Sequence, residues 1–318
     1  MRSGHFVTGA LPLVLLGLGA GAACSQDFPS KPIRIITLAA GGGSDFTSRQ
    51  ISQGISGALG QPIVIDNRTG VQASEAVSKA APDGYTLLVS GASIWIFPML
   101  QKAPYDVNDL GPVALISREP NILTVHPSLP VKSVRELIDL AKARPGQLNY
   151  GAGVVGGPQH LAGELFKSLA GVDIVRIAYK GTAPSLAAEV GGEVQLTFVD
   201  AGAVMPHVKS GRLRALAVSS PEPSALAPGL PTVAASGVPG YELVGMTVIM
   251  APAKTPAPVV TRLNQEIVRF LSQPDVKDRF LKNGAEVVAT SVDQFAAIMR
   301  SDIARMSKVI KDAGIRVE

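Results

Sequence analysis

The chain contains a single cysteine, Cys24, among its 318 residues. It can therefore form no internal disulfide, and beyond Cys24 it offers no thiol nucleophile and no cysteine-based metal site. Because no disulfide is available, the fold must be stabilised by its hydrophobic core. The chain is long enough to bury such a core, and its length suits two lobes.

Aromatic residues make up only 5% of the chain, and its lysines and arginines are scattered rather than clustered. Nucleic-acid binding relies on basic patches and stacking aromatics, so this function has little support. The formal net charge of +4 modestly favours small anionic ligands.

The common catalytic motifs are also missing. There is no Gly-x-Ser-x-Gly elbow, no His-Glu-x-x-His pair, no phosphate loop ending in Gly-Lys-Ser/Thr and no Ser-x-x-Lys. The histidines are far apart and lack metal-ligand spacing: His5, His126, His160 and His207. We therefore predict a protein that is not an enzyme, with no catalytic residue, no metal and no cofactor.

Residues 1–23 have the pattern of a secretory signal peptide. Arg2 precedes a short apolar run at 11–18, and small residues at 20–23 suit a cleavage site. The apolar run is too short for a membrane span. We expect export to the periplasm. Because Cys24 follows at once, lipidation of that cysteine is an alternative, although Gly21 stands where lipoprotein signals usually have leucine.

Further along, apolar β-rich runs alternate with amphipathic runs, which predicts an α/β fold with largely parallel sheets. Helices are predicted from Thr47, from the capping boxes at Ser133 and Ser291, from Pro158, near Pro184 and from Thr255. Strands are predicted at 33–38, 62–66, 85–90, 113–117, 122–125, 148–150, 175–179, 194–199, 213–218 and 244–251. Residues 221–239 are rich in proline and read as a loop. The strand at 244–251 would return the chain to its first lobe. We therefore predict a discontinuous first lobe (26–122 and 246–318) and a second lobe at 123–245.

Two glycine-rich junctions each connect a predicted strand to a predicted helix, at 41–45 and at 151–158. Glycines let the backbone turn sharply and approach a ligand closely, and the following helix would leave amide hydrogens free for an anion. Ser44 or Asp45 is expected to cap the first helix. The alternative is a tight turn without a ligand.

The second junction also matches the dinucleotide-binding pattern Gly-x-Gly-x-x-Gly at 151–156. That pattern requires an acidic residue at the end of the next strand. The strand instead ends at Tyr179-Lys180-Gly181, and Asp173 precedes it. We therefore interpret this junction as a second anion-binding turn.

A set of short segments follows one another along the chain: FPSKPIR (28–34), GGGSD (41–45), DNR (66–68), AAPDGYTLL (80–88), PYD (104–106), PQHLAGELF (158–166), YKG (179–181), LRALAV (213–218) and VPGYE (238–242). Together they resemble one family, the periplasmic receptors of tripartite tricarboxylate transporters, also called Bug-type receptors. The resemblance covers essentially the whole chain after the signal peptide.

This resemblance implies a two-lobed periplasmic-binding-protein fold of type II. Each lobe would be a mixed sheet flanked by helices, crossing strands would join the lobes, and the ligand cleft would lie between them. It implies that backbone amides and hydroxyls, rather than an arginine clamp, hold the carboxylate of a small ligand in the cleft. In the first lobe the site would contain Leu38, Gly41, Gly42, Gly43, Ser44, Asp45, Ser90, Gly91, Ala92 and Ser93. In the second lobe it would contain Val154, Val155, Gly156, Gly157, Gln159, His160, Thr182 and Asp200.

The chain also departs from the family pattern. Leu38-Ala39-Ala40 replaces a position that is usually aromatic or flanked by proline, residues 69–73 should stiffen a loop that is usually glycine-rich, and Val154-Val155 lacks a hydroxyl. These differences indicate a less polar pocket, suited to a mono- or dicarboxylate that can have an apolar or aromatic body.

The resemblance implies a monomer whose closed form is recognised by membrane permease subunits. A sensor kinase ectodomain is the alternative partner. An alternative of another class is a secreted hydrolase or isomerase that would use Asp45, Asp200 or His160 as acid or base.

Overall fold

The computed structural model describes residues 28–68 and 70–316, together with Met1 and Gly4. Apart from those two residues, the signal peptide expected at 1–23 lies outside the described residues, and so does Cys24. Within the described part of the chain, none of the helices has both the length and the apolar character that a membrane span requires.

Strands and helices alternate along the chain. The first segment contains β1 (Ile33–Thr37), α1 (Gly43–Leu59), β2 (Ile63–Asn67), α2 (Gly70–Ser78), β3 (Thr86–Gly91) and α3 (Ser93–Leu100). The middle segment contains β4 (Leu110–Val125), α4 (Val134–Ala143), β5 (Asn149–Ala152), α5 (Pro158–Ala170), β6 (Val175–Ala178), α6 (Thr182–Val190), β7 (Leu196–Asp200), α7 (Ala201–Lys209) and β8 (Arg214–Val218). The last segment contains β9 (Val244–Pro252), α8 (Ala257–Leu271), α9 (Pro274–Lys282), β10 (Glu286–Val287) and α10 (Val292–Asp312).

The strands pair in the order β2-β1-β3-β9-β4-β7-β5-β6, and β8 and β10 also pair with β4. Within the first lobe β1 is parallel to β2 and β3, and within the second lobe β5 is parallel to β6 and β7. β4 and β9 are antiparallel to each other and connect the two halves. The prediction of two α/β lobes joined by crossing strands is thus confirmed.

β4 is one continuous strand, so the prediction of separate strands at 113–117 and 122–125 was wrong. Its first part pairs with β9 up to Pro120, opposite Val244, and its last part pairs with β7 from Asn121, opposite Asp200. The strand therefore changes partners where the sequence suggests a break. Pro120 is accommodated there, at the point where one ladder replaces the other.

Each lobe has its own hydrophobic core, and α10 contributes to both. Phe295 is buried in a first-lobe core with Ile36 and Trp95, whereas Met306 and Ile310 are buried in the second-lobe core. The second half of this helix, which the prediction assigns to the first lobe with the rest of 246–318, thus packs against the core of the second lobe. The pattern of buried residues continues along the helix without a break, so the sequence gives no sign of the transition.

Several helices were not predicted. α2 occupies the region expected to be a stiffened loop, α3 contains Pro98, and α7 and α9 are short. α3 is apolar on every side, so it lacks the polar face that identifies a surface helix. α1 begins at Gly43, before the predicted start at Thr47, because its first turn consists of residues that were assigned to the junction.

A carboxyl group is buried inside the second lobe. Glu189 of α6 is 0% exposed, and it accepts hydrogen bonds from Thr124 Oγ1 at 3.0 Å and Thr197 Oγ1 at 2.6 Å. Burial raises the pKa of Glu189 to about 7, against the opposing effect of these hydrogen bonds. Since the folded state holds this proton more tightly than the unfolded chain, the corresponding stabilisation is lost as the pH rises from about 4.5 to about 7.

We expect Glu189→Gln to remove this loss. Between pH 5 and pH 8 the free energy of unfolding of the variant should rise relative to wild type by about 2 kcal/mol, since one pKa unit corresponds to about 1.4 kcal/mol. Urea unfolding at a series of pH values measures the difference. Glu193→Gln, at an exposed position of the same lobe, is the matched control. Parallel pH profiles for Glu189→Gln and wild type would contradict the prediction.

Candidate functional site

The cleft between the lobes contains two connected cavities, of about 640 and 280 Å³. Glu119, Gly157, Pro158 and Gly245 line both of them. Glu119 and Gly245 face each other across the β4–β9 ladder. The two cavities therefore meet where the crossing strands join the lobes.

The first-lobe wall of the larger cavity comes from two strand-to-helix junctions. Residues 41–44, with Leu38, lie between β1 and α1, and residues 91–93 lie between β3 and α3. Gly42 is the N-cap of α1 and makes no side-chain capping hydrogen bond. The first amide hydrogens of α1 are thus left without a side-chain cap at the edge of the cavity, where an anion can accept from them.

The second-lobe wall is built in the same way. Gly156, Gly157, Pro158 and Leu161 line the larger cavity, and the N-cap Gly157 of α5 also lacks a side-chain capping hydrogen bond. The smaller cavity is bordered by Thr182, the first residue of α6, and by Gly181 and Asp200, the N-caps of α6 and α7. Several helix N-termini from both lobes thus converge on one cleft.

Asp45 has a different place from the one predicted for it. It neither caps α1 nor lines either cavity. It lies in the first turn of α1, where it accepts hydrogen bonds from Gly41 N at 3.0 Å, Arg49 Nε at 3.0 Å and Asn67 Nδ2 at 2.8 Å. The hydrogen bond from Arg49, followed by that from the Gly41 amide, lowers the pKa of Asp45 to about 2. Asp45 therefore stabilises the conformation of the glycine junction from the side that faces away from the cavity.

We expect Asp45→Ala to weaken ligand binding about tenfold without unfolding the protein, because one or two hydrogen bonds that hold the junction are lost. Isothermal titration calorimetry with a bound carboxylate measures the change. Asp45→Asn keeps one oxygen, which can still accept from Gly41 N, but it loses the negative charge beside Arg49 and the acceptor for Asn67 Nδ2. It should therefore bind more tightly than the alanine variant and more weakly than wild type. Wild-type affinity in Asp45→Ala would restrict Asp45 to a local role in α1.

Most of the predicted site residues do meet in the cleft. The larger cavity is lined by Leu38, Gly41, Gly42, Gly43, Ser44, Gly91, Ala92, Ser93, Gly156 and Gly157. The smaller cavity is lined by Val154, Gln159, Thr182 and Asp200, and by Gly157 again.

Besides Asp45, three predicted residues line neither cavity. Ser90 is buried inside β3, and the side chain of Val155 is exposed at the surface. His160 Nδ1 accepts a hydrogen bond from Gly156 N at 3.0 Å. Burial, together with nearby Arg176, lowers the pKa of His160 to about 4, so the ring is neutral at pH 7. His160 thus stabilises the second glycine junction through a backbone amide without lining the cavity, as Asp45 stabilises the first.

Glu119 and Asn121 were not predicted as site residues. Ser117 Oγ donates to Glu119 Oε1 at 2.8 Å and Thr247 Oγ1 donates to the same atom at 3.1 Å. Burial raises the pKa of Glu119 to about 7, against these hydrogen bonds and with a smaller contribution from the charge of Asp200. The signal that could have revealed Glu119 is the polar segment at 117–121, which interrupts the apolar residues of β4.

The lining of the cleft contains acidic but no basic side chains among the residues that the structure describes. Glu119, Asp200 and Asp302 are the acidic ones. In the same part of the chain, no group of three or more His, Cys, Asp or Glu residues is arranged to hold a metal ion. An anion in the larger cavity would therefore be held by backbone amides and hydroxyls, as the resemblance implied.

Two α/β lobes, two crossing strands and a cleft lined by helix N-termini define a two-lobed binding protein of the periplasmic class. Residues 47–315 match the profile of the tripartite tricarboxylate transporter family receptors, TctC. The chain belongs to this family, whose members are periplasmic solute-binding receptors.

Relatives and solved structures agree with this membership. Protein BugT of Bordetella pertussis is 34% identical over 309 residues, covering 94% of this chain and 95% of the relative. The structure of Rpa4515 of R. palustris with adipate is 37% identical, with a TM-score of 0.73, and covers 91% of this chain and 99% of that one. The structure of MatC from Rhodopseudomonas palustris with bound malate is 29% identical, with a TM-score of 0.67, and covers 89% and 100%.

Proposed function

We propose that this protein captures a small organic carboxylate by lobe closure, for delivery to a tripartite tricarboxylate-type membrane transporter. The observation that carries the proposal is the pair of glycine junctions on opposite walls of one cleft, at the N-termini of α1 and α5, neither covered by a side-chain cap. Backbone amides at helix N-termini favour negative charge. Adipate and malate, bound by two relatives, are ligands of this class.

Closure follows from the position of the site. A ligand that touches both walls binds the closed form more tightly than the open form and shifts the population toward it. Its capture needs no chemical step, so we propose a receptor and not an enzyme. The closed monomer would then present a surface to permease subunits, or to a sensor kinase ectodomain if the ligand is sensed rather than imported.

A thermal-shift screen of the mature protein tests the proposal. The panel contains mono-, di- and tricarboxylates and aromatic acids, including adipate and malate. At a ligand concentration about 100 times the dissociation constant, the melting temperature should rise by about 5 °C. Titration calorimetry should give one ligand per chain, and mass spectrometry should recover the ligand unchanged. Chemical conversion of a stabilising ligand by the purified protein would refute the proposal.

We propose export through residues 1–23, with acylation of Cys24 as the alternative outcome. Intact-mass measurement of the protein recovered from the periplasm and from the membrane fraction distinguishes the two. A mature protein without lipid supports cleavage near residue 23, and an added diacylglycerol mass supports a lipid anchor at Cys24.

A further inference from the structure

The smaller cavity has a composition that carboxylate capture does not explain. It is lined by polar side chains of opposite hydrogen-bonding character, namely Glu119, Asn121, Gln159, Thr182 and Asp200. Neither Glu119 nor Asp200 forms an ion pair with any residue that the structure describes. Arg176 donates to the Gly153 carbonyl at 2.7 Å but lines neither cavity. The ligand end that enters here therefore meets two carboxyl groups without a compensating cation.

Each carboxyl group has one oxygen bound by the protein and one without a partner. Glu119 Oε1 accepts from Ser117 and Thr247, and Asp200 Oδ1 accepts from Ala203 N at 2.9 Å. No hydrogen bond reaches Glu119 Oε2 or Asp200 Oδ2 from the described residues. While the carboxyl groups are ionised, these oxygens can only accept, so each can bind a hydrogen-bond donor of the ligand. Glu119 offers its oxygen from a half-buried position and Asp200 from an exposed one.

The same cavity also contains unpartnered donors. Asn121 and Gln159 are each 6% exposed, and their amide nitrogens, Nδ2 and Nε2, are buried without a hydrogen-bond partner. The orientation of Gln159 is set by its Oε1, which accepts from Gly153 N at 3.0 Å. A buried donor without an acceptor is destabilising. These nitrogens call for an acceptor on the ligand.

Different ligand end groups can pair with different numbers of these two acceptors and two donors. A carboxylate accepts from Asn121 and Gln159 but repels Glu119 and Asp200. An ammonium group donates to the two carboxyl groups but offers nothing to the two amide nitrogens. A primary carboxamide does both, since its two N–H bonds donate and its carbonyl oxygen accepts.

We propose that the smaller cavity binds an uncharged carboxamide group, so that the natural ligand is a monocarboxylate with an amide at its other end. This inference rests on the proposed function, because the carboxylate occupies the larger cavity between the two glycine junctions. The amide nitrogen donates to Glu119 and Asp200, and the amide oxygen accepts from Asn121 and Gln159.

The electrostatics of the cavity agree with an uncharged end group. Burial and the charge of Asp200 already disfavour ionisation of Glu119, whose pKa is raised to about 7. A second carboxylate would add a further negative charge at the same place, whereas an amide adds none.

Calorimetric titration with a matched six-carbon series tests the proposal. The acids are adipamic acid (the monoamide), adipate, 6-aminohexanoate, 6-hydroxyhexanoate and hexanoate, with succinamate and succinate as a shorter pair. The measurements are made at pH 8, above the pKa of Glu119, which is about 7. For at least one of the two chain lengths, we expect the monoamide to bind at least about tenfold more tightly than the dicarboxylate. A factor of this size corresponds to one unmatched polar contact.

Two near-isosteric variants assign the effect to the cavity. Glu119→Gln keeps an oxygen for Ser117 and Thr247, and Asp200→Asn keeps a good N-cap for α7. Each should lower the preference for the monoamide over the dicarboxylate at least about threefold, and the double variant should abolish it. Glu193→Gln, exposed in the same lobe and outside both cavities, should leave the preference unchanged.

The outcomes separate this inference from the function on which it rests. If dicarboxylates, ω-amino acids or plain monocarboxylates bind more tightly than the monoamides, or if the variants keep the wild-type preference, the carboxamide assignment is wrong and the carboxylate receptor stands. If no acid of the series and none of the wider carboxylate panel binds, both are refuted.

Discussion

Gly42→Val is expected to abolish ligand binding while the protein remains folded. Gly42 has φ −87° and ψ 172°, a backbone conformation that valine adopts readily. A Cβ atom at this position would meet only the Ala39 carbonyl oxygen, at 3.6 Å, so the protein itself has room for a side chain. The branched side chain would instead occupy the space beside the first amides of α1. We expect the dissociation constant to rise at least about 100-fold, which is about 3 kcal/mol.

Calorimetry measures the affinity of this variant, and circular dichroism with thermal melting measures its fold. The matched control is Gly57→Val, which places the same side chain on an exposed face of the same helix, where nothing lies within 4 Å of the new Cβ. This control should bind like wild type. If Gly42→Val also binds like wild type, the ligand does not approach the first glycine junction, and the observation that carries the proposed function is lost.

Gly163→Val should cause the largest loss of stability. A Cβ atom at Gly163 of α5 would lie 2.2 Å from Cε2 of Tyr150 and 2.5 Å from its Cζ. Tyr150 is fully buried, and its hydroxyl donates to Glu164 at 2.7 Å, so the ring has no free space to move into. We expect the free energy of unfolding to fall by at least about 3 kcal/mol, the upper end of the range for overpacked cores.

The same substitution should weaken ligand binding, because α5 cannot keep its distance from β5 and its first turn lines the cleft. Urea unfolding and calorimetry measure the two effects. Gly57→Val again serves as the control, since valine is no worse than glycine in an exposed helix. If the loss of stability is no larger than in the control, the prediction is wrong and α5 accommodates the larger side chain without destabilising the protein.

Much of the fold could be predicted because it depends on local patterns. The predicted N-caps Ser133 and Ser291 are confirmed, with a complete capping box at Ser291, and so is the strand predicted at 244–251. Each of these signals lies within a few residues of sequence. α3 has no such signal, because it is apolar from Ile94 to Leu100. The missed helices α7 and α9 do begin with local signals, the N-cap Asp200 and a proline in the first turn. The single strand β4 could not be predicted, since its continuity through Pro120 depends on pairing with β9, which is remote in sequence.

The lining of the candidate site could be predicted where the backbone forms it, and it could not be predicted where side chains from distant segments form it. Glycine-rich junctions can be recognised in the sequence, and ten predicted residues line the larger cavity. Asp45 and His160 belong to the same junctions, but their side chains turn toward backbone amides. Glu119 faces the cleft only because β4 crosses between the lobes there.

The passage of α10 from one core to the other has a consequence for engineering. An exchange of residues 123–245 between two receptors of this family is the obvious design for transplanting the second lobe. Such a chimera would keep Met306, Val309 and Ile310 of the recipient, which pack in the transplanted core. The seam of the graft therefore runs through a close-packed interior, where mismatched volumes are costly. A workable exchange must therefore also transfer the second half of α10, although this segment is remote in sequence from the rest of the second lobe.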